Sequence, residues 1–247
     1  MTGIHNAGHY SVCYVEAGAY QSGFPDDSNI AAADYGSAAK KYQMQGYSDE
    51  WWFDLNGFAG WTASNPTKFP GGTAADQANA ANIAAGLDKR FGYCKTEGHD
   101  AAEADDLDGY TNKSASGASG GGWGLTQGDS QGFEAWLAYD THNRGLAWFM
   151  KNDTDNAQSA VKAGADAYII EECNYYKDPC GTKTVSGDVT PFLEAGLPVL
   201  NAEYTQDGES TLKFCSADNS AGIYGALFNV DLAGGTYSPC WTSNGSL

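Results

Sequence analysis

The sequence predicts an α/β protein of the TIM-type (β/α)-barrel class, one domain over residues 1–247, with the N-terminal first strand of such a barrel missing or displaced. Three observations predict it. Short apolar or β-branched runs alternate with Ala-rich segments of helical period, the pattern of parallel βαβ units. Run after run ends in a carboxylate, an amide or a lysine. The length of 247 residues is also close to the ~250 that one such barrel occupies.

In chain order the strand candidates are SVCYVEAG (11–18), WWFDL (51–55), a weaker HDAAEADD (99–106), LAWFMKN (146–152), AYIIEEC (167–173), PVLNAEY (198–204) and GIYGALFNV (222–230). Between them, AAADYGSAAKKYQ (31–43), DQANAANIAAGLDKRF (76–91), SQGFEAWLAYDTHNRG (130–145), TDNAQSAVKAG (154–164) and TPFLEAG (190–196) repeat apolar residues every three to four positions, with Gly near several ends. TGIHNAGHY reads as the tail of a helix that enters the first of these strands, which leaves seven strands where a full barrel has eight. SASGASGGGWG (114–124) is a Gly/Ser-rich loop with one tryptophan, either a flap over a site or a plain surface insertion.

The strand ends carry Glu16, Asp54, Asp105 with Asp108, Lys151 with Asn152, Glu171 with Glu172, and Glu203. In a barrel all those ends share the face on which active sites are built, whereas a doubly wound sheet would not gather them.

Composition narrows the partners. Thirteen basic against thirty-one acidic residues give a formal charge of −18, which repels nucleic acid and anionic membranes and draws cations, although acidic surfaces also serve solubility. No apolar run approaches the ~18 residues of a membrane-spanning helix. The six cysteines (13, 94, 173, 180, 215 and 240) are even in number and lack CxxC spacing, so disulfides fit better than metal, and Cys173 with Cys180 is the one tight pair. An oxidising, extracellular setting follows; because MTGIHNAGHY has neither a basic nor an apolar leader region, removal of a signal peptide is expected.

Cleavage of a glycosidic bond needs two carboxyl groups, one to give a proton and one to act as nucleophile or to activate water. EADDLDGY places Asp105, Asp106 and Asp108 on the turn leaving a strand, and AYIIEEC places Glu171 and Glu172 at the end of another. Neighbouring carboxyls raise one another's pKa, which is how an acid is made. The plainer readings are an acidic turn or calcium loop for the first, although full EF-hand spacing is absent, and a surface glutamate for one of the second pair, since adjacent strand residues point to opposite faces. Lys151 can pair with a catalytic carboxylate or bond sugar hydroxyls; a solvated strand end is the alternative.

Asn152–Thr154, Asn112–Ser114 and Asn244–Ser246 form glycosylation sequons, of which the one at 152 is expected to be unused because a glycan there would block the proposed face. Tyr14, Tyr110, Trp123, Tyr175 and Tyr204 stand at or just after strand ends, where rings can stack on sugars or ammonium groups if they are not simply core. At least one of Trp51 and Trp52 is core. The four histidines show no metal-ligand spacing, and no GxSxG, P-loop or GxGxxG unit opens a helix, so no metal or cofactor is implied.

The order of VCYVEAGAYQ (12–21), DEWWFDL (49–55), EADDLDGY (103–110), GLAWFMKN (145–152), YIIEEC (168–173) and LNAEY (200–204) resembles glycoside hydrolase family 114, the endo-α-1,4-polygalactosaminidases, over nearly the whole chain. The resemblance implies Asp105 and Glu171 as the catalytic pair, with Asp105 as nucleophile or base and Glu171 as acid, or the reverse. It implies substrate contacts from Asp54, Asp108, Lys151, Asn152, Glu203 and Tyr204, to which the strand-end aromatics Tyr14 and Tyr110 are added. Asp106 departs from the family's usual asparagine, Glu16 from its serine and Gln21 from its glutamate, and the family's first strand is not found. A cationic, galactosamine-containing polysaccharide would suit the acidic charge. With Cys173–Cys180 as a local bridge, Cys215–Cys240 and Cys13–Cys94 are the implied remaining pairs. A secreted monomer is expected. The rivals are a hydrolase of another α-linked amino-sugar or neutral polymer, a carbohydrate-binding barrel without turnover, and a calcium-stabilised acidic extracellular protein.

Overall fold

The computed structural model describes residues 1–24, 27–176, 189–232 and 234–240. The chain forms two compact units, Met1–Trp148 and Phe149–Leu247. The fold is α/β, with a mostly parallel seven-stranded sheet and the strand–helix alternation of a TIM-type fold. No pairing that closes the sheet is found among the described residues.

The first unit runs through α1 (Thr2–Asn6), β1 (Val12–Glu16), β2 (Ala19–Gln21), β3 (Glu50–Trp52), α2 (Ala74–Thr96), β4 (Ala101–Asp105) and α3 (Gln127–Asn143) to the start of β5 (Ala147–Lys151). β1 and β4 are parallel, in register from Val12 opposite Ala101 to Glu16 opposite Asp105. Ala101, Ala102 and Ala104 are buried, so β4 is held by position between neighbours more than by intrinsic strand preference. Long α2 starts at a reciprocal cap: the Asp76 N–H donates to Thr73 Oγ1 at 3.3 Å, and the Thr73 N–H to Asp76 Oδ2 at 2.6 Å. It buries Ala80, Ile83, Ala84, Leu87, Phe91 and Cys94, one stripe at helical spacing. The Cys13–Cys94 disulfide ties this stripe to β1.

The second unit holds the rest of β5, then α4 (Ala157–Ala163), β6 (Ala167–Glu171), α5 (Thr190–Glu194), β7 (Val199–Tyr204), α6 (Thr211–Ala221), β8 (Tyr224–Phe228) and β9 (Tyr237–Pro239). β5 to β8 pair parallel in sequence, and β9 pairs antiparallel with β8. Cys215–Cys240 joins α6 to the end of β9. Cys173 is also disulfide-bonded, whereas Cys180 and the sequon at Asn244 lie outside the described residues.

Six of the seven expected strands are present and parallel. WWFDL is the exception: its first residues pair antiparallel with β2 as a short ribbon, Ala19 opposite Trp52. Gly18 makes the turn that allows this, accepting from the Phe53 N–H at 3.0 Å. Trp52 is buried and Trp51 only half-buried, the alternation of a one-sided ribbon. Residues 31–43 form a kinked 3-10 turn over Ala32–Ala38, not an α-helix, because Gly36 and Ser37 take positive φ. The seventh strand of the sheet is β9, from a segment that carried no strand signal.

Candidate active site

Three successive parallel strands end in the same way. Asp106 after β4, Asn152 after β5 and Glu172 after β6 have φ of 59°, 58° and 56°. Left-handed backbone is costly for non-glycine residues and persists where surroundings over-determine it, commonly at functional sites. Each such turn immediately follows one of the strand-end residues singled out in the sequence: Asp105, Lys151 or Glu171.

In the second unit Glu171 is the centre. The Lys151 ammonium lies 3.2 Å from its Oε2, the Asn152 Nδ2 donates to the same oxygen at 3.1 Å, and the Tyr204 hydroxyl donates to Oε1. Asn152 is engaged at both ends of its amide, since its Oδ1 accepts from the Glu171 N–H at 3.0 Å. Burial pushes the Glu171 carboxyl up, but the Lys151 charge and the Tyr204, Asn152 and Lys151 hydrogen bonds outweigh it and hold the group below its ordinary range. Glu171 is therefore ionised at neutral pH. Glu172 turns to another partner: burial and a hydrogen bond with Asp207 push its carboxyl up to about 7.

In the first unit Glu16 and Asp105 sit opposite each other at the ends of β1 and β4. Glu16 is only 3% exposed; the Tyr14 hydroxyl donates to its Oε2 at 2.9 Å, and Arg90 donates to its backbone carbonyl at 2.8 Å. Burial raises the Glu16 carboxyl, with the Asp105 charge adding to the rise, and its Oε1 is buried without a hydrogen-bond partner among the described residues. Burial, and after it the Glu16 charge, raises Asp106 well above its ordinary range. The Asp106 N–H donates to Asp105 Oδ1 at 2.9 Å, and the Gly18 N–H donates to the Asp105 carbonyl at 3.0 Å. Gly18 is required here, since a Cβ would overlap the Asp106 carbonyl oxygen. Burial also raises Asp108, and pushes Glu50 up to about 7 beside Glu16, Asp49 and Asp105. Burial of the Tyr14 hydroxyl and the charges of Asp105 and Glu16 keep it protonated, while the residue as a whole is 47% exposed.

The remaining expected residues are placed differently. Asp54 is fully buried, accepting from Asn56 Nδ2 and Asn79 Nδ2, both at 2.8 Å. Glu203 is also fully buried; its Oε1 accepts from the Asn174 N–H at 2.8 Å and Asn201 Nδ2 at 3.1 Å, which fastens the segment after Glu172 to β7. Tyr110 is half-buried at the end of the DLDGY turn. The 114–124 loop is a packed element: Trp123 Nε1 donates to the Trp52 carbonyl at 2.8 Å and its ring stacks on Tyr42 at 3.7 Å. Gly121, at φ 61°, leaves no room for a Cβ against Trp52.

Sequence reading passed over Glu50, although it stood in the quoted DEWWFDL run, and Asp207, for which there was no signal. Among the described residues no group of three or more His, Cys, Asp or Glu side chains is arranged to hold a metal ion, and no helix is long and apolar enough to cross a membrane.

Solved structures of similar fold include Aspergillus fumigatus Ega3 in complex with galactosamine, with a TM-score of 0.71 at 23% identity over 94% of this chain and 79% of that one. The glycoside hydrolase domain of PelA from Pseudomonas aeruginosa gives 0.53 at 13% identity over 92% and 81%. No curated protein matches the sequence. The sequence model of glycoside-hydrolase family GH114 matches residues 1–244, nearly the full length. The carboxylate-lined strand ends thus belong to a glycoside hydrolase, and the chain is a member of family GH114.

Proposed function

We propose that the protein is a secreted, endo-acting hydrolase of α-1,4-linked, galactosamine-containing polysaccharide that uses Asp105 and Glu171 as its two carboxyls. The observation that carries this reading is the setting of Glu171, whose carboxylate is held ionised by Lys151, Asn152 and Tyr204. Such a group suits the nucleophile or base. Of the two assignments left open by the sequence, the ionised state of Glu171 favours that residue in this role, which leaves the part of proton donor to Asp105.

Tyr14 and Tyr110 are proposed to line the sugar path, and Asp108 to face the amino groups, while Lys151, Asn152 and Tyr204 act on the sugar through Glu171. Asp54 and Glu203 support rather than touch it. The galactosamine bound by Ega3 motivates the choice of sugar. A chain of net charge −18 favours a polycation over neutral polymers by long-range attraction. The disulfides Cys13–Cys94 and Cys215–Cys240 suit an extracellular location.

The test is release of reducing ends from partly deacetylated polygalactosamine, alongside chitosan and a neutral α-linked glucan. Cleavage of the first alone supports the reading. Cleavage of another polymer instead redirects the substrate, and tight binding with no product from any polymer replaces the hydrolase with a binding protein.

A further inference from the structure

Resting on the reading of Glu171 as a working carboxyl, we propose that Glu203 and Asn174 are positioning residues for it. The hydrogen bonds between them fasten the chain just after Glu171 to β7 and so hold the left-handed turn at Glu172, which sets where the Glu171 carboxylate stands.

Three successive residues of β7 grip the end of β6. The Ala202 carbonyl accepts from the Glu172 N–H at 2.8 Å, Glu203 Oε1 accepts from the Asn174 N–H at 2.8 Å, and the Tyr204 hydroxyl donates to Glu171 Oε1. Side chains alternate along a strand, so Tyr204 holds the Glu171 carboxylate from one face while Glu203 holds the following chain from the other. Glu203 serves as an anchor because it is itself fixed. Its Oε1 also accepts from the Asn174 Nδ2 at 3.2 Å and the Asn201 Nδ2 at 3.1 Å, and these two amides donate further to Asp218 on α6, at 3.0 and 2.9 Å. Glu203 and Asp218 are fully buried, and Asn201 nearly so. Gly225, opposite Asn201 on β8, makes the room for this, since a Cβ there would overlap Asp218 Oδ2. A polar network shut away from water holds its members firmly, because no solvent replaces a bond lost there. A left-handed glutamate at 172 costs backbone energy and needs such fixing. The titratable groups about Glu171 are Lys151 on β5, Tyr204 on β7 and Glu172 at the turn.

The test uses the full chain with Glu203→Ala, Glu203→Gln and Asn174→Ala. Glu203 Oε2 has no hydrogen-bond partner among the described residues, so Gln keeps every bond at Oε1 while removing any charge. The substrate-independent readout is the titration of the Glu171 carboxyl, followed by NMR of its labelled carboxyl carbon. Its midpoint is expected to rise by about one pH unit in both Ala variants, as the bonds from Tyr204 and Asn152 loosen, and to keep the wild-type value in Glu203→Gln. With deacetylated polygalactosamine as substrate, kcat is expected to fall about tenfold in the two Ala variants with KM unchanged, and to stay near the wild type in Glu203→Gln. Asn174→Ala removes only a half-buried side chain. If its Glu171 titrates as in the wild type, the proposal is overturned, and this comparison stands even if Glu203→Ala fails to fold. A Glu203→Gln protein that matches Glu203→Ala also overturns it, because Glu203 would then act by charge and not by its hold on Asn174. If the wild type hydrolyses no polymer, the functional reading falls separately, and the Glu171 titration still decides the role of the anchor.

Discussion

Lys151 ends β5 and Glu171 ends the next strand, β6, and their side chains meet with Nζ 3.2 Å from Oε2. Lys151 is almost fully buried, so its charge is spent on Glu171 and not on solvent. Removing it by Lys151→Met takes away the largest influence that holds the carboxyl low. Because activity needs Glu171 ionised, the acid limb of the pH–rate profile is expected to move to higher pH. At neutral pH kcat should fall roughly tenfold or more, as for loss of an electrostatic partner in a working site. Rate profiles of the two proteins check this.

Tyr204→Phe removes the hydroxyl that donates to Glu171 Oε1 while leaving the ring. A hydrogen bond to a charged group is worth about 1.5–3 kcal/mol, and about 1.4 kcal/mol is a factor of ten. Loss of kcat/KM by about 10- to 100-fold is expected in steady-state kinetics, with a melting temperature lowered by several degrees.

Stability should fall as pH rises. Asp34 and Asp140 are pushed up to about 6, and Glu50 and Glu172 to about 7, chiefly by burial. A carboxyl with a raised folded pKa binds its proton more tightly folded than unfolded, so its contribution is complete below the unfolded value and is lost as pH climbs through the folded one. Glu171 works the other way, losing its contribution only as pH falls. Melting temperatures are expected to decline from about pH 4 to pH 7, and Glu50→Gln should flatten that decline.

Cys13–Cys94 closes a separation of 81 residues and Cys215–Cys240 one of 25. Replacing both cysteines of the longer link by Ala should lower unfolding free energy by about 4.5 kcal/mol, and of the shorter by about 3.5 kcal/mol, on chain-entropy grounds. Denaturant melts of the paired variants measure both.

Much of this architecture was legible in the sequence because period and strand-end chemistry are local. The apolar runs at 146–152, 167–173 and 198–204 became β5, β6 and β7, and the stripe in 76–91 became the buried face of α2. WWFDL misled because three apolar residues cannot distinguish a parallel strand from a ribbon whose partner, β2, lies thirty residues earlier. In the second unit, Lys151, Asn152, Glu171 and Tyr204, which the structure brings together, could be named because each ends or follows a strand. That Asp54 and Glu203 are sealed beneath asparagines could not, because burial depends on residues distant in sequence, Asn79 and Asn174. Nor could positive φ at Glu172, a residue type with little preference for it.

The most direct test of the central claim compares the rate of reducing-end release from deacetylated polygalactosamine by the wild type, Asp105→Asn and Glu171→Gln at equal folded concentration. A hydrolase built on these two carboxyls cuts the polymer as wild type and loses about 10³-fold or more in each variant, with melting temperatures near that of the wild type. Cleavage that survives either substitution nearly intact would contradict the account and move the chemistry to another carboxyl.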